Sequence, residues 1–273
     1  MHDRSHAFSI QMVRAGGQLL RAARRAGRGP PLLMFNGIGA NIELLEPFAR
    51  QLEREIVTFD VPGVGHSPLG TPYRLPGLAR LAAQVLEHFG HRRADVLGVS
   101  WGGAVAQQFA RSEPARCRRL VLCATATGAF MIPGSPAALI KLATPLRYLS
   151  TEYAVRVAGD IYGGDFRRDP SLAREVFRST RWQSWLGYYL QLAAAAGWTS
   201  IHWLHRIEQP TLVMAGVDDP IVPPANARLM CRLIPNAELK MLDCGHLFLL
   251  TRAEESARAI DEFLGKAPME VEQ

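Results

Sequence analysis

The feature that most constrains this chain is an alternation of two hydrophobic periods. Short apolar runs (residues 31–35, 56–59, 95–99, 120–123, 211–215 and 239–242) are separated by stretches with helical spacing. Continuous apolar runs of that length suit strands buried on both faces, and the intervening stretches suit helices that cover them. Glu43 to Glu53 carries Leu44, Leu45, Phe48 and Leu52 at helical spacing, and Leu75 to Phe89 and Arg252 to Leu264 read in the same way. Phe8 to Val13 and Gln18 to Ala22 flank Gly16-Gly17, a hairpin signal. The pattern predicts an α/β fold with a mostly parallel central sheet flanked by helices.

The alternation stops between Gly128 and His205. That segment has no strand-like run, is rich in tryptophan and tyrosine, and is broken at Pro133, Pro136, Pro145, Gly163-Gly164 and Pro170. It reads as a helical cap, residues 128–205, inserted into a core formed by 1–127 and 206–273. The last residues, Met269 to Gln273, are expected to fray.

Composition narrows the function classes. Of 273 residues, 48% are hydrophobic and 21% charged, so the chain can bury a large core without disulfides or metals. The net charge of +6 is carried mainly by arginine, with lysine only at Lys141, Lys240 and Lys266. These charges are scattered in short clusters such as Arg92-Arg93 and Arg118-Arg119, not gathered on one tail, which argues against nucleic acid as a partner. The four cysteines, Cys117, Cys123, Cys231 and Cys244, form no C-x-x-C pair and no zinc spacing, so reduced thiols and no cofactor or metal are expected. MHDRSHAFSI lacks the apolar core of a signal peptide, and the longest apolar stretch, Leu190 to Trp198, is too short to cross a bilayer. A cytoplasmic location without integral membrane association is the expectation.

The chemistry concentrates at Gly98-Val99-Ser100-Trp101-Gly102. A G-x-S-x-G string between a strand and a helix places the serine on a sharp turn with its Oγ above the sheet's carboxyl edge. Glycine on either side avoids Cβ clashes there. In chain order an acid and a histidine should follow, each beyond a strand end. Asp218-Asp219-Pro220 follows the 211–215 run, and Asp243-Cys244-Gly245-His246 follows the 239–242 run. Asp219 is favoured over Asp218 because it immediately precedes the Pro220 turn, and over Asp243 because that residue belongs to a strand end. His246 is favoured over His66, His88, His91, His202 and His205 by its order and strand-end position. His246 would take the proton of Ser100 as it attacks an ester carbonyl, and Asp219 would orient the imidazole. The backbone N–H groups of Trp101 and Ile38 are the expected oxyanion donors. Asn36-Gly37 precedes Ile38, and Asn36 is expected to brace that loop or contact substrate.

Trp182, Trp185, Tyr188, Tyr189, Trp198 and Trp203 recur at roughly helical spacings in the insertion. They suggest an apolar cap over Ser100, suited to a hydrophobic acyl group, with Trp185, Tyr189 and Trp198 as candidate substrate contacts.

The arrangement as a whole resembles the α/β-hydrolase fold. More specific strings resemble the intracellular medium-chain-length poly(3-hydroxyalkanoate) depolymerases: Phe35-Asn36-Gly37-Ile38-Gly39-Ala40-Asn41, Phe59-Asp60-Val61-Pro62-Gly63-Val64-Gly65, Ile161-Tyr162-Gly163-Gly164, Gly197 to His205, and Gly245-His246-Leu247-Phe248-Leu249. The resemblance runs from about residue 30 to residue 255. It implies hydrolysis of a storage polyester to 3-hydroxyalkanoate monomers or oligomers at intracellular granules, beside possible granule coat proteins, with Ser100, Asp219 and His246 as the triad. The sequence departs from that pattern at Gly65-His66-Ser67, where the family has Gly-Gly-Ser, and at both termini. Two other readings fit the residues: a carboxylesterase or C–C hydrolase for small cytosolic substrates, and a non-catalytic binding protein of the same fold.

Overall fold

A computed structural model describes residues 8–178 and 184–266. Trp182 and the C-terminal residues from 267 lie outside the described part. Eight strands form one sheet: β1 (Ser9–Ala15), β2 (Gln18–Arg25), β3 (Arg28–Phe35), β4 (Arg54–Phe59), β5 (Ala94–Val99), β6 (Cys117–Cys123), β7 (Thr211–Gly216) and β8 (Ala237–Leu242). Their order is β1-β2-β4-β3-β5-β6-β7-β8. The β1–β2 hairpin joins β4 antiparallel, and every later pairing is parallel. The central strands β5 and β7 are buried along their whole length, as the apolar runs require.

Helices cover both faces. On one side α2 (Leu75–His88) and α3 (Trp101–Ser112) pack together over β3, β5 and β6. On the other, α1 (Ile42–Ala49) packs with α12 (Ala253–Gly265) over Leu32, Met34, Leu97 and Val121. Parallel strands need such crossovers, so the carboxyl ends of β3, β5, β7 and β8 open at one edge, where loops are free to build a site.

The insertion is helical: α4 (Pro136–Leu142), α5 (Leu146–Leu149), α6 (Thr151–Tyr162), α7 (Gly164–Arg168), α8 (Leu172–Phe177) and α9 (Trp185–Ala195). Its two ends meet. Ala129 donates to the Trp198 carbonyl at 2.8 Å, and Ser200 to the Thr127 carbonyl at 3.0 Å. The helices α10 (Pro224–Leu233) and α11 (Phe248–Thr251) complete the order.

Candidate active site

Ser100 stands between β5 and α3 with φ 52° and ψ −118°. A non-glycine residue with positive φ is strained by roughly 1–3 kcal/mol and persists only where its surroundings fix it. Here they do. Ser100 N–H donates to the Cys123 carbonyl at 2.8 Å, and the Ser100 carbonyl accepts from Gly103 N–H and from Thr125 Oγ1 at 2.8 Å. Gly98 and Gly102 allow the turn: a Cβ on Gly102 would run into the carbonyls of Phe35 and Asn36, and one on Gly98 into Gly102.

The loop after β7 holds Asp219, which is buried. Its Oδ1 accepts the backbone N–H groups of Ile221 and Val222, both at 2.9 Å. Its Oδ2 lies 2.7 Å from His246 Nδ1, so the carboxylate is held from behind and aimed at the imidazole. The loop after β8 holds His246, whose own N–H donates to the Tyr162 carbonyl at 2.7 Å. The neighbouring acids are elsewhere. Asp218 accepts from Gly164 N–H and pairs with Arg167, which holds its carboxyl below the usual carboxylate range. Asp243 is solvated and stands 3.6 Å from Arg168.

Two cavities meet at Ser100. The first is also lined by Asn36, Ile38, His246, Arg147 and Tyr162. The second is apolar and runs under the cap past Trp101, Met131, Leu192 and Trp198. Ile38 borders both, and its carbonyl accepts from Tyr148 Oη at 2.8 Å. Asn36 Nδ2 braces the loop by donating to the Asn41 carbonyl at 2.8 Å, while its Oδ1 is buried with no partner among the described residues. The N–H of Trp101, the first of α3, has no intrahelical acceptor.

Of the aromatic candidates, Trp198 lines the second cavity, and its Nε1 donates to Gln108 Oε1 at 2.9 Å. Trp185 and Tyr189 line neither cavity. They stack on each other with centroids 6.3 Å apart and are 44% and 43% exposed. Helical phase explains this correction: α9 buries Gly187, Tyr188, Gln191 and Ala194, which turns the i, i+4 pair Trp185 and Tyr189 outward.

Three residues at the site carry no sequence signal. Gln191 is buried on α9; its Oε1 accepts from Gly39 N–H at 2.8 Å, and its carbonyl accepts from Trp101 Nε1 at 2.8 Å. Gln191 thus ties the cap to both loops that flank Ser100. Tyr148 steadies Ile38, and Arg147 faces the first cavity. A glutamine, a tyrosine and one arginine among many have no motif to mark them.

A positive-φ serine after β5 of a parallel sheet, with a buried aspartate–histidine pair beyond β7 and β8, is the architecture of an α/β hydrolase. The chain belongs to that family, whose alpha/beta hydrolase fold model matches residues 30–253. Within it, the chain is 52% identical over 262 residues to a poly(3-hydroxyalkanoate) depolymerase of Ectopseudomonas oleovorans, with 94% of this chain and 93% of that protein covered. It is also 28% identical over 284 residues to a 2-hydroxymuconate semialdehyde hydrolase of Pseudomonas putida, covering 94% and 96% of the two chains. The solved enol-lactonase of Burkholderia xenovorans LB400 superposes with a TM-score of 0.78 at 23% identity, covering 94% of this chain and all of that one, and attests the shared fold.

Proposed function

We propose that this hydrolase cleaves medium-chain-length poly(3-hydroxyalkanoate) through an acyl-enzyme on Ser100. The observation that carries the mechanism is the buried Asp219–His246 contact at 2.7 Å beside the cavity that Ser100 lines. The likeness to the depolymerase carries the substrate class. His246 takes the Ser100 proton as Oγ attacks the ester carbonyl. The oxyanion is met by the backbone N–H groups of Trp101 and Ile38, each worth about 10²–10³ in rate by analogy with other serine hydrolases. His246 then protonates the departing 3-oxygen to give the free 3-hydroxyl, and water releases the acyl group by the same steps in reverse. The apolar cavity past Trp101, Leu192 and Trp198 suits an alkyl side chain. The substrate is the polyester of intracellular storage granules, where coat proteins would be neighbours. Among the described residues no helix is long and apolar enough to cross a membrane.

The test is clearing of a poly(3-hydroxyoctanoate) latex with release of 3-hydroxyoctanoate. Wild type should clear it and Ser100→Ala should not. An enzyme that hydrolyses nitrophenyl esters and leaves the latex turbid would sink the polyester reading in favour of small soluble esters.

A further inference from the structure

Arg147 is almost fully buried, and it lines the same cavity as Ser100 and His246. A guanidinium is positive at every accessible pH, and a buried cation without a counter-charge is costly. No carboxylate among the described residues pairs with it. Nη1 donates to the Thr144 carbonyl at 2.9 Å, Nη2 to Tyr188 Oη at 3.1 Å, and Nε has no partner. The rest of the cage is aromatic: the guanidinium lies 4.5 Å from the Tyr148 ring centroid and 5.5 Å from that of Tyr188, with Tyr162 in hydrogen-bonding reach. Burial raises the hydroxyls of Tyr162 and Tyr188, so they stay neutral and supply no negative charge. Among the described residues the cavity therefore holds one permanent positive charge and no anion to face it.

We infer that Arg147 receives the free carboxylate at the end of the polyester chain, so that cleavage proceeds unit by unit from the carboxyl terminus. This rests on the polyester reading above, and the two cavities give it a direction. His246, which must protonate the leaving oxygen, lines the cavity of Arg147 and not the apolar one. The alcohol side of the scissile ester therefore points toward Arg147 and the acyl side toward Trp198. In a terminal unit the leaving 3-oxygen is joined to the carboxylate through C3, which carries the alkyl side chain, and the C2 methylene. As Ser100 Oγ bonds to the carbonyl carbon, the bond from that carbon to the 3-oxygen breaks. The oxygen takes the proton from His246, and the carboxylate stays on Arg147. The space beside Arg147, about 50 Å³, is on the scale of a carboxylate head group.

The experiment compares 3-hydroxyoctanoate dimers and trimers bearing a free carboxyl terminus with their terminal methyl esters. Wild type should favour the free acids in kcat/KM by on the order of 10². In Arg147→Gln that ratio should fall toward one, and Arg147→Lys should restore part of it. Equal rates on both substrates by wild type, or an unchanged ratio in folded Arg147→Gln, overturns the assignment. Because a buried arginine variant can fail to fold, a second arm uses wild type alone. Free 3-hydroxyoctanoate should slow fluorophosphonate labelling at Ser100, and its methyl ester should not. Equal protection by both overturns the carboxylate site whether or not the polyester is a substrate. Conversely, a latex left intact beside selective protection by the free acid removes the polyester and keeps the anion site.

Discussion

At the residue scale, the two adjacent aspartates are separated by what each touches. Asp219 is buried, fixed by two backbone N–H groups and aimed at His246. Asp218 is about half exposed and paired with Arg167. Asp219→Asn should leave the geometry but favour the wrong imidazole tautomer, lowering kcat by about 10⁴ as in other triads. Asp218→Asn removes a surface ion pair worth at most about 1 kcal/mol and should leave kcat within a few-fold. Steady-state kinetics on a nitrophenyl ester separate the two, and the reverse ranking would reassign the acid. The Pro220 turn favours Asp219 in the sequence, but nothing in the string Asp218-Asp219 reveals which carboxylate faces inward. That choice is made by Ile221 and Val222, whose amides turn back onto Oδ1.

At the element scale, the strands, the turn at Ser100 and the two strand-end loops that carry Asp219 and His246 are legible, because each is written in contiguous residues. The cap was legible only as helical. Its helices are short and end at Pro145, Gly163 and similar breaks, so their packing depends on contacts distant in sequence. α10 escaped notice because Pro224 to Leu233 mixes apolar residues with Asn226, Arg228 and Arg232. Trp185 and Tyr189 were expected over Ser100; the phase of α9 carries them outward and brings Gln191 in. Gln191→Ala leaves Gly39 N–H without its acceptor, a loss of about 1–3 kcal/mol. Tm should drop by several degrees, and kcat should fall more than KM rises as the Ile38 loop loosens. A variant with wild-type Tm and kcat would show that the tether is dispensable.

At the scale of the whole molecule, burial disfavours the thiolate form of the cysteines. Burial pushes Cys231 up to about 11 and Cys244 up to about 12, with Cys117 and Cys123 higher still. A raised pKa keeps the group as the unreactive thiol, and thiolate forms only as pH climbs toward those values. At pH 8 the native protein should resist a thiol reagent and keep its activity, while all four cysteines should titrate in denaturant. Loss of activity in step with modification of Cys244, two residues from His246, would contradict this. The same packing sets Ser100 at the junction of an apolar cavity and one holding a cation, and that junction is invisible in a G-x-S-x-G string. The proposed hydrolysis stands or falls on Ser100. Inactivating the enzyme with a fluorophosphonate until latex clearing stops, then mapping the adduct by peptide mass, tests it most directly. A single adduct on Ser100, formed in proportion to lost clearing, is expected. Clearing that survives full labelling of Ser100, or an adduct on another serine, would contradict it.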